Sequence, residues 1–148
     1  MAEGIKDSTF EGETLPRFGR EETNDFFDEA NKLLEKGDRT SIAQACEKFY
    51  KVTEEIIKIL AAEHFLEEWR KAEEQRRWTI QLLFGAVGEL MRVEGKQIQE
   101  AWLAAWALHT AGFHEKLLGA KEVSKYIGSI RELVEWFNRR NIHRSITT

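Results

Sequence analysis

This chain has one proline, Pro16, and none after it. From Glu21 onward nothing forbids helix continuation, and apolar residues recur in steps of three and four. No segment alternates with period two, so strands are not expected and the chain reads as all-α. Its 148 residues, 42% of them hydrophobic and 32% charged, are enough to bury a core within one domain. Residues 1–20 hold Pro16, three of the ten glycines and little periodicity. We read them as an N-terminal tail, flexible or draped, and residues 21–148 as a single helical-bundle domain.

The first helix is expected over 22–36, capped by Thr23 or Asn24, with Phe26, Phe27, Ala30, Leu33 and Leu34 as its stripe. Gly37 stops it and Asp38 caps the second helix after a turn so short that the two form a hairpin. That helix, DRTSIAQACEKFYKVTEEIIKILA over 38–61, presents Ile42, Cys46, Phe49, Thr53, Ile56 and Leu60. Tyr50 and Ile57 widen the face enough for two neighbours. The charged stretch 63–77 reads as a helix extension or a loop. A third helix is expected over 75–91, where Gly85 and Gly88 imply close approach of a neighbour. A fourth covers 96–115 and a fifth 120–141, the latter with a heptad-like seam from Val123 to Phe137. The expected architecture is an antiparallel up-and-down bundle of four long helices preceded by a first, shorter one. A second copy of the helix-two pattern at a 34-residue period is missing, which argues against a solenoid.

Composition excludes several functions. The longest apolar run, Ala101–Leu108, is far short of the ~20 residues a membrane span needs. The N-terminus lacks a basic start followed by an apolar stretch, so no secretory signal is expected. Cys46 is the single cysteine and sits on an apolar stripe, the setting of an inert buried thiol. Cytoplasmic localisation follows as an expectation. The net charge of −4 provides no global field for nucleic acid, and no DNA-binding motif is present. Phosphate-cradling glycine loops and a Gly-x-Ser-x-Gly turn are absent.

Candidate chemistry rests on histidines and a C-terminal basic cluster. His109 lies on a stripe with Ile98, Trp102 and Phe113, beside Trp106, and reads as a structural histidine needing a hydrogen-bond partner. His114 follows Gly112 near the helix end, where a solvated imidazole is expected. On an α-helix His109 and His114, five apart, do not share a face. With Glu115 they would need help from Glu63 or His64, so no metal site and no cofactor are expected. Arg139, Arg140, His143 and Arg144 follow Trp136, which lies off the core seam. The plain reading is cations at a helix C-terminus. The functional one is ligand binding by Trp136, Arg139, Arg140 and His143, with the indole as a platform for a base. The charged set Arg70, Lys71, Arg76 and Arg77 is interleaved with glutamates and reads as a solvated helix face.

The string LLEKGDRTSIAQACEKFYKVTEEIIKILA, the Trp-bearing third helix and AWLAAWALHTAGFHE resemble the archaeal PaREP family, grouped with the HEPN superfamily of four-helix bundles. The resemblance spans about residues 22–140, and its most specific piece is Leu108–His109 with Gly112–Phe113–His114–Glu115. It implies a homodimer, and relatives in that superfamily often cleave RNA with an Arg followed by a His at a short fixed spacing. Here the arginine nearest before His109 and His114 is Arg92, and Arg139 and Arg140 stand too close to His143. The implied function is a noncatalytic module binding RNA, nucleotide or a partner protein in a defence or toxin–antitoxin-like setting. The alternative is a metal-independent endoribonuclease using His114 or His143 with Arg140 or Arg92.

Overall fold

The computed structural model describes residues 20–147, with side chains described from Glu22 to Arg140. The tail reading, and the side chains of His143 and Arg144, lie outside the described residues. Six α-helices follow in order among the described residues: α1 (Arg20–Lys36), α2 (Arg39–Glu63), α3 (Glu67–Gln75), α4 (Ile80–Glu94), α5 (Gln97–Ala107) and α6 (Ala120–Thr147). A π-helical turn, Leu108–His114, continues α5. No strand occurs among the described residues, so the all-α expectation holds.

Two start signals behave differently. The Asp38 carboxylate accepts from the Ser41 backbone N–H at 3.1 Å, capping α2, and hydrogen bonding by the Ser41 hydroxyl and backbone holds its carboxyl below its ordinary value. Gly37 supplies the left-handed φ of +81° that ends α1. Thr23 and Asn24, however, lie inside α1, which begins at Arg20. Thr23 is buried and its hydroxyl donates to Asn138 Oδ1 at 3.2 Å, while Asn138 Nδ2 donates to Asn24 Oδ1 at 2.7 Å. These residues clasp α1 to α6 instead of capping a helix.

The expected helix over 75–91 divides. Arg76 adopts φ +60° at the end of α3, and Thr79 restarts the chain as the cap of α4, accepting from Leu82 N–H at 3.1 Å. The charged stretch thus holds a short helix of its own. It crosses α4 at Gly85, where a Cβ would meet Glu68 Oε2 at 2.9 Å. Gly88 has nothing within 4 Å of such an atom, so only Gly85 serves close approach.

Helix α2 is the centre of the molecule. It packs against all five other helices and the π turn, and 15 of its 25 residues are buried, too many for a single stripe. Its expected two neighbours are therefore an underestimate. Phe49, Ile56 and Leu60 on α2 are fully buried, as are Leu83 and Leu90 on α4, Ile98 and Trp102 on α5, and Ile130 and Leu133 on α6.

Candidate functional site

Two polar constellations are anchored on α2, at Glu47 and at Glu63. They lie 16 positions apart, about 24 Å along the helix at 1.5 Å per residue.

The first is built on the π turn. His109 Nδ1 lies 2.8 Å from Glu47 Oε1, a contact 62 positions apart in sequence. An ionised carboxylate only accepts, so Nδ1 carries the proton and the lone pair sits on Nε2. Lys51 Nζ lies 4.0 Å from the other Glu47 oxygen. Tyr50 stacks on the imidazole with centroids 4.1 Å apart, and Trp106 lies 5.4 Å away. The His114 ring stands edge-on to His109 at 4.5 Å and is exposed.

That last contact reverses the sequence argument. Five residues of α-helix turn a side chain about 140° away from its partner. In the π turn the Glu115 N–H reaches back to the Thr110 carbonyl at 2.9 Å, an i→i+5 bond that brings i and i+5 onto one face. The turn is seated by Gly112, where a Cβ would stand 2.5 Å from Cys46 Sγ and 3.0 Å from its Cβ. Gly112→Ala is expected to destabilise the protein by about 1–3 kcal/mol through overpacking, read as a lower urea midpoint. Cys46→Ala in the same chain should recover part of it, since the sulfur is the nearer atom. Cys46 itself is fully buried, and desolvation pushes its thiol up to about 11, which leaves it unreactive.

The second constellation joins α2, α4 and α6. Arg140 Nη2 hydrogen-bonds Glu63 Oε1 and lies 3.7 Å from Glu94 Oε2, which His64 Nε2 approaches at 2.7 Å. The Arg140 guanidinium sits over the half-buried Trp136 ring at 5.4 Å, the i, i+4 stack that the spacing suggested. Arg139 is exposed beside it. Glu63 and His64 belong to this node and so do not assist His109 and His114. Sequence gave no signal for Glu47, Glu94 or His64 as partners, because each contact crosses at least 30 positions. Among the described residues no group of three or more His, Cys, Asp and Glu side chains is placed to hold a metal, and no helix is long and apolar enough to cross a membrane.

Fold and site together define an all-helical domain with two polar clusters anchored on α2. The model of the archaeal PaREP1/PaREP8 family matches residues 19–134, and the chain belongs to that family. It is similar to a Sulfolobus solfataricus protein solved by crystallography, with 36% identity and a TM-score of 0.69. That match covers 81% of this chain and 95% of the other. A solution structure of the same structural-genomics target gives 37% identity and a TM-score of 0.66, covering 83% and 92%. No curated protein matches the chain significantly.

Proposed function

We propose that this protein is a HEPN-like antiparallel bundle acting as a noncatalytic homodimeric module. Its ligand is RNA, a nucleotide or a partner protein, in a defence or toxin–antitoxin-like setting. The observation that carries this reading is the separation of His114, which stands against His109, from Arg140. His109 is tied to Glu47 and Arg140 to Glu63, about 24 Å apart along α2. Arg140 is also neutralised by carboxylates, which leaves Arg139 and the Trp136 face as the phosphate- and base-facing elements of a binding surface.

Support for a dimer comes from α4 and α5. Ile80 and Phe84 on α4 are 41% and 39% exposed, and Leu103 on α5 is 51% exposed. Phe84 meets the buried Trp102 and the half-buried Trp106 edge-on, 5.3 Å from each, so its exposed apolar edge is held in place by the aromatic packing of α5. A second copy covers such a surface by twofold pairing. Equilibrium sedimentation should give twice the chain mass at micromolar concentration, and Leu103→Glu should return it to one chain. A wild-type mass of one chain overturns the dimer.

The endoribonuclease reading retains one specific support. His64 and Arg140 share Glu94, so an Arg–His pair exists in space although the sequence spacing lacks it. Labelled total RNA incubated without metal separates the two readings. A gel shift without cleavage is expected. Cleavage abolished by His64→Ala or His114→Ala would replace the noncatalytic module with a divergent nuclease.

A further inference from the structure

We propose that His109 and His114 form a two-histidine site for a divalent transition-metal cation of the zinc, nickel or copper type. The π turn puts the two imidazoles on one face with ring centroids 4.5 Å apart. On an α-helix that pairing needs a spacing of four, and the i→i+5 turn supplies it at five. His109 is already oriented as a ligand. Glu47 holds its Nδ1–H at 2.8 Å, which fixes the tautomer and leaves the Nε2 lone pair for a cation, the carboxylate–histidine–metal arrangement. Tyr50 stacks on the same ring and limits its rotation.

His114 is the adjustable member. It is exposed, and its ring already stands edge-on to His109 with centroids 4.5 Å apart, so the proposal asks only a side-chain rotation of it. No third His, Cys, Asp or Glu side chain converges on the pair among the described residues. The site therefore has two protein ligands, with the other coordination positions left to water or to an exogenous donor. Imidazole donors select zinc, copper and nickel over magnesium and calcium, which prefer oxygen.

Titration of the full chain with ZnCl2, followed by calorimetry, tests the site, and the absorption of bound Co2+ reports its coordination. One cation per chain is expected. His114→Ala, at an exposed position, should keep the helical circular-dichroism spectrum and weaken binding by at least about tenfold. Glu47→Gln should weaken it by about 10–100-fold, since an outer-shell partner of a ligating histidine commonly has that effect. His64→Ala should leave the affinity unchanged. Absence of Zn2+ binding, or binding insensitive to His114→Ala, overturns the proposal, as does binding lost in His64→Ala or His143→Ala instead. The RNA assay is run without metal, so neither result depends on the other.

Discussion

Lys58→Met is expected to destabilise the protein by about 3–5 kcal/mol, because it leaves a buried carboxylate without its cation. Glu54 and Lys58 lie one turn apart on α2 and are 0% and 4% exposed. The ammonium stands 3.5 Å from Glu54 Oε2 and 3.4 Å from Glu55 Oε2. Neither Glu54 oxygen has a hydrogen bond, so the Coulomb attraction stands largely alone against desolvation. Replacing both residues is therefore expected to act in the opposite sense. Glu54→Leu/Lys58→Met should be neutral or more stable than the parent by up to about 4 kcal/mol, as buried ion pairs exchanged for apolar residues often are. Urea midpoints of the three proteins decide it. A double variant as unstable as Lys58→Met alone would mean that the pair is a net stabiliser.

The same carboxyl gives a pH signature. Burial pushes Glu54 above the usual 4.5, opposed by Lys58 and Lys51. A folded-state pKa above the unfolded one means the native state binds the proton more tightly. The Glu54 contribution is then fully present below about 4.5 and is lost as pH rises through the folded value. Relative to the parent, Glu54→Gln should become progressively more favourable as pH rises from 4.5 toward neutrality. Chemical denaturation at a series of pH values measures that trend, and a flat difference would refute it.

Trp102→Ala is the second large effect, with an expected loss of about 3–5 kcal/mol. The indole is fully buried and its ring lies 5.7 Å from Tyr50, 5.3 Å from Phe84 and 6.0 Å from Trp106. Truncation opens a cavity between α2, α4 and α5 that these rings cannot fill without leaving their own contacts. For a chain of this size the melting temperature should fall by about 6–20 °C. A much smaller change would mean that the three helices close over the space.

Local signals were readable wherever one residue sets its own backbone. Asp38 capped α2 and Gly37 ended α1, both by chemistry within three residues. Helix ends without such residues were invisible: Phe65 and Arg76 adopt φ of 51° and 60° with no glycine to announce them. For that reason the charged stretch 63–77 concealed α3. Asparagine and threonine near the start of α1 looked like caps, because the same hydrogen-bonding groups serve a cap or a buried tertiary clasp.

The candidate sites were legible as residue types and not as partnerships. Trp136 over Arg140 follows from i, i+4 spacing, a property of one helix. Glu47 with His109 does not, nor does Glu94 with His64 and Arg140, because these pairs depend on how α4, α5 and α6 lie against α2. Sequence alone determined the all-helical class, the Asp38 cap and the apolar stripes, all of which are set by chain chemistry within a turn or two. Tertiary structure decided that Glu54 is buried, that Arg140 is neutralised, and that Leu108–His114 winds as a π turn. The physical reason is that burial, charge pairing and the seating of Gly112 on Cys46 depend on contacts between distant segments, and no local pattern encodes them.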